Sequence, residues 1–187
     1  MRGLDAFLDL LTVVALDFRL GGLLVLLAMA AVSDWRFYRI PNWLTFGGMV
    51  FAVVYGTFAA RTPAAGASHA FGGLGLGLAI MLPFYLLGVM GAGDVKLMAM
   101  VGAFLGPHQT LTAILFTCMA GGVAAIAFAI HRSRLRHMLA NVVSGMACMR
   151  PDAAGDLRQS IGKLPYGICI CAGTVTQILV HQLGWVP

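Results

Sequence analysis

The chain has 187 residues, of which 60% are hydrophobic and only 10% charged, and its net charge is +5. A soluble domain carries roughly 25% charged residues, so the composition excludes one and indicates an all-α, polytopic membrane protein. Nine of the twelve basic residues fall in segments 34–42, 91–96 and 131–163, a clustering that fits membrane-boundary charge and gives no sign of a nucleic-acid partner.

About 20 apolar residues cross a bilayer as a helix, and six stretches approach that measure. The first, 20–33, is short, and residues 4–18 read as an amphipathic surface segment that extends it, with Asp17 and Arg19 near the outer boundary. The N-terminal run holds Asp9 and Asp17 and lacks the layout of a removable signal peptide. The second span is 43–60. The third, 70–90, is rich in glycine: Gly72, Gly73, Gly75, Gly77 and Gly88. The fourth, 95–105, is short and broken near Gly106-Pro107; the fifth is 111–130 and the sixth 164–183. Between the last two lies the longest loop, 131–163. Its basic run from His131 to His137 reads as an anchor on anionic headgroups, and 138–149 as a short amphipathic surface helix. Pro151 and Gly155 then mark an irregular return. Spans and loops use the whole length, so residues 1–187 read as a single membrane-embedded domain.

Lysine and arginine near span ends set orientation. Six alternating spans put segments 34–42, 91–96 and 131–163 on one side, the cytoplasmic one, and both termini on the other. Asp34 and Asp94 then fall at the same membrane face, although the basic residues alone set the orientation.

All seven acidic residues are Asp. A carboxylate in or beside an apolar span is costly and reads as functional unless a partner or water explains it. Each of the two has a structural explanation as well. Asp94 closes Gly91-Ala92-Gly93-Asp94, where it reads equally as a helix N-cap after a glycine turn. The two glycines also permit close approach by another backbone, such as an extended peptide. Asp34 reads equally as the end of the first span. Pro41-Asn42 suits the start of the next helix, and Arg36 and Arg39 face either lipid phosphates or Asp34 itself. Lys96 and Lys163 read as lipid anchors, as sources of local positive charge or as attractors of an acidic substrate residue.

Other patterns are structural. The run Gly72-Gly73-Leu74-Gly75-Leu76-Gly77 has no preceding strand and reads as close helix packing, not a dinucleotide loop. Cys118, Cys148, Cys169 and Cys171 form no Cys-x-x-Cys pair and read as small buried hydrophobes. The five histidines do not cluster, so no metal is expected; no cofactor is expected either. No Gly-x-Ser-x-Gly element or Cys/His pair suggests a nucleophilic hydrolase.

Taken together, Asp34 with Ile40-Pro41-Asn42 and Leu44-Thr45, then Gly91-Ala92-Gly93-Asp94-Val95-Lys96-Leu97, resemble the prepilin peptidases, the Gly-x-Gly-Asp type of intramembrane aspartic protease. Lys163-Leu164-Pro165-Tyr166-Gly167 resembles the family's third motif, so the likeness runs from about residue 20 to 183. It implies that Asp34 and Asp94 are the catalytic pair and that Pro41, Asn42, Gly91, Gly93, Lys96, Lys163, Pro165, Tyr166 and Gly167 bind substrate or support the site. The implied substrate is a prepilin or pseudopilin precursor cleaved at the cytoplasmic face of the inner membrane. The implied partners are the bilayer and a pilus assembly or secretion machine. The tetracysteine domain of the bifunctional members has no counterpart here. The chain looks like the short members linked to Flp or tight-adherence pili, and N-methylation is expected to be absent. Two other readings remain: an archaeal-type preflagellin peptidase, and a small proton- or cation-coupled transporter with a buried carboxylate site.

Overall fold

A computed structural model of the chain describes residues 18–87, 90–131 and 166–182. They form six helices: α1 (Phe18–Phe37), α2 (Asn42–Ala59), α3 (Pro63–Leu86), α4 (Ala92–Leu105), α5 (Pro107–His131) and α6 (Tyr166–Gln182). The described residues contain no strand, so the fold is all-α. Helices α1, α2 and α3 are each long and apolar enough to cross a membrane, as expected of a polytopic membrane protein. The expected surface segment over 4–17, the loop from 132 to 163 with the short surface helix expected at 138–149, Gly88, Cys148, Lys163 and Pro165 lie outside the described residues.

The bounds follow local chemistry. Helix α3 starts seven residues before the expected span, at Pro63, because proline suits the first helical turn and Thr62 enters it extended. Residues 63–69 are mostly small or polar, so hydropathy alone does not mark them as helix. The expected break is present: Gly106 adopts φ 80° and ψ 173°, and Pro107 opens α5. Helix α1 runs on to Phe37, so Asp34 lies inside it, not after it.

Helix α4 is the centre of the bundle. Every residue from Leu97 to Leu105 is buried, and α4 contacts all five other helices. Its 14 residues make about 21 Å of helix, shorter than the roughly 30 Å hydrocarbon layer. Neighbouring helices, not lipid, therefore surround it. Close approach between α3 and α4 depends on paired glycines. A Cβ at Gly73 would overlap the Gly102 carbonyl, and one at Gly102 the Gly73 carbonyl. In lipid no hydrophobic force drives helices together, so backbone contact through small residues supplies the packing.

Inter-helix contacts define two ends. At one, Arg19 of α1 lies 3.5 Å from His69 of α3, and Gln109 of α5 lies 3.2 Å from His181 of α6. At the other, the C-terminal turn of α1 meets the start of α6, and the start of α2 meets the start of α4. Successive helices thus alternate in direction, and Asp34 and Asp94 occupy the same end.

The Gly73–Gly102 contact separates two kinds of glycine substitution. Gly102→Val should cost about 3 kcal/mol of stability through overpacking. Gly75→Ala, with open space around its Cβ, should leave stability unchanged or raise it by up to about 1 kcal/mol through helix propensity. Thermal unfolding of the purified protein in detergent measures both; equal effects would mean that the α3–α4 contact does not control packing.

Candidate active site

Helix α1 ends in a turn that delivers the chain to α2. Tyr38 donates its N–H to the Asp34 carbonyl at 2.9 Å, and its φ of 50° reverses the chain. Ser33 Oγ donates to the Arg39 carbonyl at 2.8 Å, closing the turn. Pro41, at φ −65° and ψ 135°, is the N-cap of α2, and its carbonyl accepts from the Leu44 N–H at 3.2 Å. Asn42 is the first helical residue, in keeping with the sequence expectation.

This turn packs on the start of α4. Gly93 faces Ile40: a Cβ there would lie 3.3 Å from the Ile40 Cβ. Lys96 Nζ donates to Asn42 Oδ1 at 3.0 Å and sits 5.3 Å from the centre of the Phe46 ring. Lys96 is therefore a tie between α4 and α2.

The carboxylates are held by backbone donors. Gly91 is the N-cap of α4 and Asp94 stands in its first turn. Asp94 Oδ2 accepts the Gly91 N–H at 3.1 Å, and the helix N-terminus adds a favourable field. Asp94 is thus not itself the N-cap. Asp34 Oδ2 accepts the N–H of Gly167, 133 residues away, at 2.8 Å. Gly167 is the second residue of α6, so Asp34 satisfies one of that helix's free N–H groups. The contact needs glycine, because a Cβ at 167 would lie 2.8 Å from Asp34 Oδ2 and 3.1 Å from its Cβ. Asp34 is therefore a long-range partner of another helix rather than the end of its own span.

Both aspartates are buried and close enough for their charges to interact. Among the described residues, Oδ1 of neither carboxylate has a hydrogen-bond partner, so each acid has one oxygen fixed and one unengaged. Arg36 and Arg39 are exposed and make no ion pair with Asp34 among the described residues; Arg36 lies over the Phe37 ring at 5.8 Å. Tyr166 opens α6 within electrostatic range of Asp94 and packs toward α5, where a Cβ on Gly121 would lie 3.5 Å from its ring.

Cys169 is a neighbour that sequence reasoning treated only as a buried hydrophobe. It is buried, as expected, and also within electrostatic range of both aspartates. Its position three residues after Tyr166, on the same helical face, is the signal that would have found it. Cys171 is half-buried and donates to the Leu27 carbonyl at 3.1 Å, while Cys118 is exposed rather than buried. Among the described residues, no group of three or more His, Cys or Asp side chains is placed to hold a metal ion. A transporter site would need carboxylates near the bilayer midplane. Asp34 lies in the last turns of α1 and Asp94 in the first turn of α4.

Residues 22–126, more than half of the chain, match the model of the type IV leader peptidase family. The match includes Asp34 and Asp94 and ends before α6. No curated protein and no solved structure matches the chain.

The Lys96–Asn42 bond should contribute about 1 kcal/mol to stability. Lys96→Met and Asn42→Ala should each lower it by about that amount, and the double variant by no more than the larger single effect. Denaturant titration in micelles reads the cycle; additive losses would show that the two side chains act separately.

Proposed function

Since the chain belongs to the type IV leader peptidase family, we propose that it is a membrane aspartic endopeptidase that removes the leader from prepilin or pseudopilin precursors. It acts at the cytoplasmic boundary of the inner membrane and does not methylate the new N-terminus. The observation that carries this reading is that Asp34 and Asp94 are both buried at the same end of the bundle. Each is pinned through one oxygen by a backbone N–H, and their charges interact.

The chemistry follows from the pair. Two like charges held close do not both persist readily, so the pair shares a proton and titrates as a unit. The ionised carboxylate takes a proton from water as its oxygen bonds to the scissile carbonyl carbon. The protonated carboxyl hydrogen-bonds to the carbonyl oxygen and stabilises the charge that develops there. Collapse of the tetrahedral intermediate breaks the C–N bond, and a proton from the pair goes to the leaving amine. The unengaged Oδ1 atoms are the oxygens available for these transfers. Gly91 and Gly167 hold the other two oxygens and so fix the geometry of the acids. Ile40 against Gly93 and Lys96 on Asn42 hold the α1–α2 turn beside Asp94. The turn and the helix ends beside it carry the exposed Trp35, Phe37, Tyr38 and Trp43, which suit a membrane–water interface, where a membrane-anchored precursor presents its cleavage point.

Co-expression with a precursor tests the mechanism. Asp34→Asn and Asp94→Asn should each abolish cleavage while the protein accumulates in the membrane; processing by either variant would remove that residue from the mechanism. Gly167→Ala should lower cleavage about tenfold, equivalent to about 1.4 kcal/mol, by displacing Asp34. Mass spectrometry of the product should show an unmethylated N-terminus; an added methyl mass would contradict the single-activity reading.

A further inference from the structure

A peptide that is cleaved must reach both carboxylates, yet Asp34 and Asp94 are only 5% and 9% exposed. The α1–α2 turn, residues 38–41, packs against the segment that carries Asp94. The three atoms nearest to a Cβ built at Gly93 all belong to Ile40: its Cβ at 3.3 Å, Cγ1 at 3.6 Å and Cδ1 at 3.7 Å. Glycines beside a carboxylate leave room for another backbone to come close. At Gly93 a side chain of the chain itself already takes that room.

The turn is fastened unequally. Two hydrogen bonds hold it to α1: the Tyr38 N–H on the Asp34 carbonyl at 2.9 Å and Ser33 Oγ on the Arg39 carbonyl at 2.8 Å. Toward α4 it is fastened by the Ile40 contact and, at the first residue of α2, by the exposed bond from Lys96 Nζ to Asn42 Oδ1 at 3.0 Å. Both of these are side-chain contacts, so both can break while the helices keep their own backbone bonds. Tyr38, at φ 50°, lies in the left-handed region, which a residue other than glycine keeps only under constraint from its surroundings. It stands at the joint between α1 and the turn, where a change in φ and ψ would swing residues 39–41 and lift Ile40.

We propose that residues 38–41 are a lid on the acid pair, with Ile40 as its plug on Gly93 and the Lys96–Asn42 bond as its latch. Closed, the lid occupies the face of Gly93 on which an extended precursor would lie, and so competes with substrate. Only the open fraction binds, and apparent affinity is reduced by that fraction. Breaking the latch therefore raises activity at limiting precursor. That sign separates a latch from an attractor of an acidic substrate residue, whose loss would weaken binding. The competition rests on the peptidase reading above; the cover over the acids does not.

Carbodiimide coupling of glycine ethyl ester, on the full chain in nanodiscs, reads access to Asp94 by peptide mass spectrometry. Labelling should be about fivefold faster in Lys96→Met and in Asn42→Ala, the equilibrium worth of one hydrogen bond, and at least as fast in Ile40→Ala. Ile178→Val loses one buried methyl near the other end of α6, at a similar loss of stability, and should label at the wild-type rate. Equal labelling of the wild type and the three lid variants would overturn the lid. So would equally fast labelling of Ile178→Val, since access would then come from global unfolding. In the cleavage assay, Lys96→Met and Asn42→Ala should each raise kcat/KM about fivefold; a fall or no change would overturn the competition with substrate. If the wild type cleaves no precursor, the peptidase reading fails and the labelling still decides the lid.

Discussion

A carboxylate buried in a membrane bundle needs hydrogen-bond donors, and this chain supplies them from the backbone at the starts of two helices. Gly91 opens α4 and donates to Asp94; Gly167 begins α6 and donates to Asp34. Helix N-termini carry N–H groups with no partner in their own helix and a partial positive charge. The acids and the helix starts therefore satisfy one another. Among the described residues no basic side chain pairs with either acid, and backbone donors hold both.

Placement of those helix starts depends on packing deeper in the bundle. Helix α4 is too short to span the bilayer and is enclosed by the other five. Its axial position is set where Gly102 meets Gly73 of α3 and where Ile40 and Asn42 of the α1–α2 turn meet Gly93 and Lys96. Helix α6 is placed by Gly173 against Thr117 and by Tyr166 beside Gly121. The glycines thus act together: those in the bundle set the distance between helices, and Gly167 lets Asp34 reach a backbone nitrogen.

Much of this was legible in the chain. Hydropathy located all six helices, and Gly106-Pro107 marked the break between α4 and α5. The alternation of basic segments put Asp34 and Asp94 on one face, and the helix directions agree. The start of α3 was missed because residues 63–69 are too polar and too small for a hydropathy signal, while the proline that starts the helix is a local cue. The tie between Lys96 and Asn42 was missed because long charged side chains at a membrane boundary ordinarily read as lipid anchors. The nearness of Cys169 to the acids was missed because a lone thiol in an apolar run ordinarily reads as core.

The sequence by itself determined the class of the protein, the order and direction of its helices, and the placing of Asp34 and Asp94 at one end. These follow from local composition, from charge asymmetry across spans and from motifs a few residues long. Only the tertiary structure decided that Asp34 takes its donor from Gly167, 133 residues on, that Asp94 takes its donor from Gly91, and that α4 is the buried centre. A carboxylate signals only its need for a donor. Which donor meets that need depends on how closely the helices approach, and hence on contacts between residues far apart in the chain.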